Sequence, residues 1–234
     1  MKAIILAGGF GQRLKAILPN IPKPMAPIQD KPFLAYLLDY LQSQGVNHVV
    51  IAVHYLGDYI RTYFQCQYRN IKISYVEEDE PLGTGGAIIH ALATFHGQDP
   101  LFVLNGDTFV KFNYRAMYQQ HIHQQSIITM GLRQMDDCAR YGKVMATHSV
   151  VTTFKEKGEV GPGLINAGVY LINPNLFENF KLPKHFSIEN DFLYPYVSEI
   201  KPQAFVTDNY FIDIGIPEDY ARVQAEWKEI VVEQ

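Results

Sequence analysis

Short apolar runs alternate with amphipathic patterns through the first half of the chain. Strands are predicted at residues 2–6, 48–53, 71–77 and 101–104. Helices, in which apolar residues recur every three or four positions, are predicted at residues 32–44, 56–64 and 85–95. In the last of these helices, the residues expected to face inward are Ile88, Ile89, Leu92 and Phe95. The alternation of strands and helices is typical of repeated βαβ units and predicts a mostly parallel sheet.

The second half of the chain has shorter and less regular apolar runs. Strands are predicted there at residues 127–132, 142–146, 151–155 and 164–172, and a last helix begins at Pro217. Short strands of this kind indicate antiparallel additions that cover a site. Together the two halves predict an α/β fold with a Rossmann-like, mostly parallel but mixed sheet and helices on both faces.

Composition and charge narrow the class of protein. The chain has 234 residues, of which 47% are hydrophobic and 19% charged, so we expect one globular domain over residues 1–234. Lys and Arg total 20 against 24 Asp and Glu. The resulting net charge of -4 provides no general positive field for a nucleic acid or an anionic membrane, so neither is an expected partner.

The same sequence gives expectations about location. No apolar run approaches the roughly 18 residues of a membrane span. We interpret the short apolar stretch at residues 2–6 as a strand rather than a signal peptide. The 2 cysteines form no Cys-x-x-Cys pair and suit a reducing compartment, so we expect a cytoplasmic protein.

Three glycines directly after the first predicted strand are the first candidates for chemistry. Gly8, Gly9 and Gly11 allow backbone N–H groups to turn toward an anion, and Arg13 adds a fixed positive charge. Open α/β sheets bind ligands at the carboxyl ends of their strands, where this loop lies. We interpret the segment as a phosphate-binding loop; the alternative is a glycine-rich turn without a ligand.

Two familiar phosphate motifs fit this loop poorly. The P-loop string G-x-x-x-x-G-K-[ST] does not occur in the chain. The dinucleotide motif G-x-G-x-x-G matches only at Gly9 and Gly11, with Asp30 as its acidic residue, because Leu14 replaces the third glycine. Prolines within residues 19–27 also interrupt the helix that should follow. A nicotinamide-dependent oxidoreductase is therefore the weaker enzyme class.

Lys23 and two aspartates are candidates for phosphate and metal binding. Pro22 and Pro24 flank Lys23 and restrict its backbone, so a long cation is directed with little freedom. Asp107 and Asp213 each follow an apolar run and are expected at strand ends, where a carboxylate suits Mg²⁺ beside phosphates. The alternatives are an idle surface lysine and an aspartate that only forms a turn.

A further polar group accompanies the predicted strands of the second half. Glu156 can accept hydrogen bonds from sugar hydroxyls, Lys157 can meet a sugar phosphate, and Asn166 can do either. The alternative is a solvated charge cluster.

Four motifs in order resemble those of the sugar-1-phosphate nucleotidyltransferase family. They lie at residues 6–14, 22–28, 81–87 and 105–107. Residues 154–157, 166–168 and 213–215 extend the resemblance over nearly the whole chain. The resemblance implies the nucleotidyltransferase (GT-A-like) fold and a single catalytic domain.

Within that family, four segments look most like those of D-glycero-D-manno-heptose 1-phosphate guanylyltransferases. These segments are residues 23–28, 30–34, 81–88 and 141–144. The resemblance implies transfer of GMP from GTP to the heptose 1-phosphate, with release of pyrophosphate and formation of a GDP-sugar. Mannose-1-phosphate guanylyltransferases come next, and a uridylyltransferase of another sugar 1-phosphate also stays open.

The resemblance implies a role for each matching residue. The nucleotide would be held by Leu6, Ala7, Gly8, Gly9, Gly11, Leu82, Gly83 and Thr84. Catalysis would depend on Arg13 at the β and γ phosphates, Lys23 at the α phosphate, and Asp107. Mg²⁺ would be bound by Asp107 and Asp213. The sugar phosphate would be received by Gly142, Glu156, Lys157 and Asn166.

The chain departs from the family pattern near Arg13. Gln12 stands where relatives usually have threonine, and residues 15–17 lack the proline that many relatives carry. Neither departure removes a charge that the chemistry needs. A non-catalytic sugar-nucleotide sensor of the same fold is the alternative from another class, but it would be expected to have lost Arg13, Lys23 or Asp107. The resemblance is also compatible with a homodimer.

Overall fold

The computed structural model describes residues 1–9, 11–14, 17–155 and 157–232, with the backbone alone at residue 12. The strands are β1 (Lys2–Leu6), β2 (Pro27–Ile28), β3 (Lys31–Pro32), β4 (His48–Val53), β5 (Gln67–Tyr68), β6 (Ile71–Glu77), β7 (Leu101–Asn105), β8 (Thr108–Val110), β9 (Ile128–Met135), β10 (Lys143–Thr147), β11 (Val150–Phe154), β12 (Gly163–Ile172), β13 (Gln203–Thr207) and β14 (Phe211–Asp213). The α-helices are α1 (Phe33–Ser43), α2 (Gly57–Phe64), α3 (Gly83–Leu92), α4 (Tyr114–His123), α5 (Tyr194–Ile200) and α6 (Pro217–Ala225). A π-helical turn, Ile188–Leu193, precedes α5.

The chain forms two compact units that are interleaved in sequence. The first unit comprises Met1–Pro81, Leu104–Lys111 and the residues from Tyr210 onward. The second comprises Leu82–Val103 and Phe112–Asn209. The prediction of a single catalytic domain stays a prediction.

The first unit is built on parallel strands. β4 pairs in parallel with β1 on one side and with β6 on the other, and β5 adds an antiparallel edge to β6. The middle residues of β1 and all but the first residue of β4 are buried, as expected for a parallel sheet covered on both faces. Helix α1 buries its leucines Leu34, Leu37, Leu38 and Leu41 completely.

The loops at the carboxyl ends of these strands are fixed by backbone hydrogen bonds. Ala7 N–H donates to the Ala52 carbonyl, and Gly106 N–H donates to the Leu6 carbonyl, both at 2.9 Å. An antiparallel pairing of β8 with β14 places Asp213 opposite Thr108. Residues that follow different strands are thereby brought to the same end of the first unit.

The second unit is mainly antiparallel. β9 pairs antiparallel with β12 and parallel with β13, while β10 pairs antiparallel with β11 and with the start of β12. A bulge interrupts the β9–β12 register between Asn166 and Val169. The mixed sheet and α/β class predicted from the sequence are confirmed.

The helix predicted at residues 85–95 needs a correction. It begins at Gly83 and ends at Leu92, and Ile89, which was expected to face inward, is 41% exposed. The buried residues of α3 are Ile88, as predicted, and the small residues Gly85, Gly86, Ala87 and Ala91. Only glycine fits at position 85, because a Cβ there would lie 2.1 Å from the Phe186 ring. Close approach to Phe186 therefore sets the rotation of α3 and turns Ile89 outward.

The helices are short compared with a membrane span. Within the described part of the chain, every helix is too short or too polar to cross a membrane.

Candidate functional site

The glycine loop after β1 is held close to its neighbours in the first unit. A Cβ on Gly8 would lie 2.9 Å from Glu78 Oε1 and 3.3 Å from His54 Cβ, so a larger residue would displace them. Gly11 has a φ of +57°, and a Cβ there would lie 3.3 Å from Lys23 Cβ. Gly9, in contrast, has no other described atom within 4 Å of its Cβ position. Among the described residues the loop is therefore tightly packed at Gly8 and Gly11 and not at Gly9.

Arg13 is presented by a short 3-10 turn, Gln12–Leu14. Leu14 is 2% exposed and its N–H donates to the Gly11 carbonyl at 3.0 Å, which anchors the turn. The Arg13 side chain is exposed, and it makes no ion pair with any residue that the structure describes. Arg13 is available to an anion, as its predicted role requires.

Lys23 is directed by the prolines around it. Pro22 is extended, with φ of -64° and ψ of 139°, and Pro24 and Met25 are buried in the turn that follows. The Lys23 ammonium donates to Asp107 Oδ2 and lies 3.6 Å from Asp213 Oδ1. The Lys23 side chain is only 15% exposed, which contradicts the alternative of an idle surface lysine.

Asp107 and Asp213 converge on this ammonium, as predicted for a metal site. The Ile214 N–H donates to the Asp107 carbonyl at 3.0 Å, which ties the two segments together. Burial first, and the charge of Asp107 second, raise the pKa of the Asp213 carboxyl, while Lys23 partly opposes the shift. Asp213 Oδ1 is buried and accepts no hydrogen bond from the described residues. The pair therefore lacks one unit of positive charge.

Asp107 and Asp213 suit Mg²⁺ better than they suit a metal ion that needs three or more protein ligands. Among the described residues no group of three His, Cys, Asp or Glu side chains could hold a metal ion. Mg²⁺ commonly takes one or two carboxylates and completes its shell with water and substrate phosphates. Asp213 Oδ1, which accepts no hydrogen bond from the described residues, is a suitable hard ligand.

The predicted nucleotide segment of the second unit starts helix α3. Gly83 has a φ of +72°, and a Cβ there would lie 2.5 Å from the Phe186 carbonyl oxygen. Phe186 also accepts from Gly85 N–H at 2.9 Å and donates its own N–H to the Leu82 carbonyl at 3.0 Å. The Thr84 hydroxyl is used within the protein, because it accepts from Ile188 N–H at 2.9 Å and donates to Glu189. The positive φ and the close Phe186 carbonyl oxygen both require glycine at position 83.

The predicted sugar-phosphate residues are also in the second unit. β10 pairs antiparallel with β12, with Lys143 opposite Ile165, so Gly142, just before β10, lies next to Asn166 of β12 in the register. A Cβ on Gly142 would lie 2.7 Å from the Lys155 carbonyl oxygen. Lys157 is exposed in the turn after β11. Glu156 lies outside the described residues, and so does the segment at 15–16 that departs from the family pattern.

Sequence reasoning missed three side chains beside these segments. Glu78 follows β6, is 7% exposed, and lies against Gly8. An acidic residue directly after a buried parallel strand was the available signal, since such positions face ligands. Tyr170 and Glu189 contact Asn166 and Thr84, and nothing in the sequence indicates those contacts.

Comparisons with known proteins identify the family of this chain. The sequence profile of the nucleotidyl transferase family matches residues 2–229. A D-glycero-alpha-D-manno-heptose 1-phosphate guanylyltransferase of Aneurinibacillus thermoaerophilus is 43% identical over 231 residues, covering 99% of this chain and 100% of that protein. The enzyme of the same name from Campylobacter jejuni is 45% identical over 221 residues, covering 94% of this chain and 97% of its own.

A solved structure is also similar over nearly the whole chain. HddC from Yersinia pseudotuberculosis superimposes with a TM-score of 0.86 at 38% identity, covering 97% of this chain and 99% of that one. A second crystal structure of HddC is complexed with GMP-PN. The predicted GT-A-like nucleotidyltransferase fold is confirmed by this similarity.

Proposed function

Because the chain belongs to the nucleotidyl transferase family, we propose that it transfers GMP from GTP to D-glycero-D-manno-heptose 1-phosphate. The products are pyrophosphate and a GDP-sugar. The observation that carries this proposal is the Lys23 ammonium placed between Asp107 and Asp213 beside the glycine loop. The heptose and the guanine base are proposed from the relatives that are 43% and 45% identical.

The reaction needs positive charge more than it needs a general base. The attacking group is an ionised phosphate, so no proton has to be removed from it, and the barrier lies in bringing two anions into line. We assign Lys23 to the α phosphate and Arg13 to the β and γ phosphates of the leaving pyrophosphate. The Lys23 ammonium is held by its ion pairs with Asp107 and Asp213, so its charge is in place before the substrate binds. For Arg13, the buried Leu14 anchors the turn that presents the exposed side chain.

The metal and the loops complete this assignment. Mg²⁺, held by Asp107 and Asp213, would supply further positive charge to the phosphates. We assign the backbone of residues 6–11 and of residues 82–84 to the nucleotide. Gly142, Glu156, Lys157 and Asn166 are assigned to the sugar phosphate. A single catalytic domain over residues 1–234 is part of this proposal.

Magnesium-dependent pyrophosphate release tests the proposal. GTP, UTP, CTP, ATP and dTTP are each combined with the 1-phosphates of heptose, mannose, glucose and N-acetylhexosamine. We expect release with GTP and the heptose 1-phosphate. Preference for mannose 1-phosphate, or for another nucleotide, would keep the mechanism and replace the substrate, whereas GTP binding without any release would favour a sugar-nucleotide sensor.

The remaining expectations concern the protein in the cell. Use of GTP and a sugar 1-phosphate supports the predicted cytoplasmic location. The homodimer stays a prediction, which sedimentation of the purified chain tests directly.

A further inference from the structure

The Glu189 carboxylate accepts hydrogen bonds from three hydroxyl groups of the second unit. Its Oε1 accepts from the Tyr170 hydroxyl at 2.8 Å. Its Oε2 accepts from the Thr84 hydroxyl at 3.2 Å and from the Ser187 hydroxyl at 3.1 Å. An ionised carboxylate can only accept, so the direction of each of these hydrogen bonds is fixed.

One arm of this network leads to Asn166. The Tyr170 hydroxyl accepts from Asn166 Nδ2 at 2.6 Å and gives its own proton to Glu189. Tyr170 is fully buried, and burial together with the Glu189 charge raises the pKa of its hydroxyl well above the ordinary value, so it remains a donor. Asn166 Oδ1 accepts from Gly168 N–H at 3.1 Å. The amide therefore has a single orientation and presents its second Nδ2 hydrogen as a donor.

The other arm leads to the start of helix α3. The Thr84 hydroxyl accepts from Ile188 N–H at 2.9 Å, so its only proton is left for Glu189. The hydroxyl has no donor to offer a ligand, and its effect is to hold the backbone of residues 82–84. Ile188 and Glu189 belong to the π-helical turn, a rare element that often occurs at functional sites.

We propose that Glu189 is a positioning residue for both substrates, acting on the sugar phosphate through Tyr170 and Asn166 and on the nucleotide through Thr84. The inference rests on the proposed function, in which Asn166 and residues 82–84 bind these two substrates. Glu189 touches neither substrate in this account. Its carboxylate makes Asn166 a donor of fixed direction and keeps the nucleotide segment in place.

Two single substitutions separate the arms. Tyr170→Phe removes the hydroxyl that links Asn166 to Glu189 and leaves the Thr84 contact intact. KM for the sugar 1-phosphate should therefore rise at least about fivefold, the size of one lost hydrogen bond, while KM for GTP changes less than about twofold. Thr84→Val removes the hydroxyl that ties the nucleotide segment to Glu189. Here KM for GTP should rise, while KM for the sugar 1-phosphate should change little. Thr84→Ser retains the hydroxyl and serves as its matched control.

Substitution of Glu189 itself should affect both substrates. Glu189→Ala should raise both KM values, whereas Glu189→Gln should restore part of the loss, because an amide oxygen can still accept from Tyr170. Tyr36→Phe is a control for the loss of a buried tyrosine hydroxyl elsewhere, since Tyr36 donates to the Ile28 carbonyl. Thermal unfolding of every variant identifies effects that come from lost stability alone.

The two proposals fail in different ways. Equal changes of both KM values in Tyr170→Phe and Thr84→Val, or lower melting temperatures with unchanged kinetics, would refute the positioning role. A wild-type chain that binds GTP but transfers nothing would refute the proposed function instead. In that case calorimetric titration with GTP and with heptose 1-phosphate separately still tests Glu189, because the same division between the arms is expected in the Kd values.

Discussion

The charged cluster of the first unit and the Glu189 network of the second unit use carboxylates in opposite ways. In the first, a single ammonium, Lys23, serves two carboxylates, and Asp213 Oδ1 is left without a hydrogen bond among the described residues. In the second, one carboxylate accepts from three neutral hydroxyls. The first arrangement lacks a counter-charge, and the second is complete without a ligand.

This difference separates two contributions to the proposed reaction. A cluster that lacks positive charge gains most when phosphates and a cation bind, so its residues should govern the rate of transfer. A network that is already satisfied holds ligand-binding groups in fixed orientations, so its residues should govern affinity. The following predictions test that division, beginning with the largest effect.

Removal of the Lys23 ammonium should have the largest effect. We expect Lys23→Ala to lower kcat at least about 100-fold, because a preorganised charge at a phosphoryl transition state contributes roughly 3 kcal/mol. Steady-state pyrophosphate release with GTP and heptose 1-phosphate measures the change. Lys72→Ala, at an exposed position of β6, is the matched control and should be close to wild type. Turnover of Lys23→Ala within a few-fold of wild type would remove Lys23 from the mechanism.

The core strands were predictable because their signal is local. β1, β4 and β6 occur at the predicted residues. β1 and β4 contain the continuous apolar runs that a strand buried on both faces needs, whereas the buried residues of β6 are separated by exposed or half-buried ones. The start of α3 was not predictable in this way. It depends on Phe186, about a hundred residues away in the chain, and such a contact leaves no periodic pattern.

The residues of the candidate site also differ in whether the sequence indicates them. Lys23, Asp107 and Asp213 could be selected because prolines or strand ends mark their positions. Their convergence is not visible in the sequence and is seen only in the ion pairs of the structure. The sequence did not indicate a role for Tyr170, because a tyrosine is common in an apolar strand such as β12. Its function depends on the partner of its hydroxyl, and only the tertiary structure provides that information.

Crowding at Gly83 should have the next largest effect. Gly83→Ala combines a φ of +72° with a Cβ position 2.5 Å from the Phe186 carbonyl oxygen, so we expect a loss of about 2 kcal/mol or more in stability and a several-fold higher KM for GTP. Gly97→Ala also places a Cβ at a positive φ, +106°, but it has no other described atom within 4 Å. Urea unfolding of both variants separates close contact from strain. Equal losses would show that contact with Phe186 is unimportant.

Loss of one carboxylate from the charged cluster should change the response to magnesium. Asp213→Asn removes a ligand, so activity at low Mg²⁺ should fall at least about tenfold and recover partly at high Mg²⁺. The melting temperature without metal should be equal or higher, because two like charges no longer face each other. A magnesium titration and thermal unfolding measure both effects. An unchanged magnesium requirement would exclude Asp213 as a ligand.

The smallest effect should appear in the response of the second unit to acid. His121 is 1% exposed, with its ring nitrogens 2.8 Å from the Thr129 hydroxyl and 3.0 Å from Asn173 Oδ1. Burial lowers the pKa of this imidazole, an effect partly opposed by the Asn173 hydrogen bond. The unfolded chain therefore binds a proton that the folded chain resists, and stability should fall as pH decreases below about 6.5.

Unfolding in urea between pH 7.5 and pH 5.5 measures this contribution. The wild-type chain should lose up to about 1.4 kcal/mol per pH unit from His121, and His121→Gln, which cannot titrate, should show a correspondingly smaller slope. A variant with the same slope as wild type would mean that the acid response arises elsewhere. His48 of β4, whose pKa is also lowered by burial, would then be the residue to examine, and the acid response would no longer distinguish the second unit from the first.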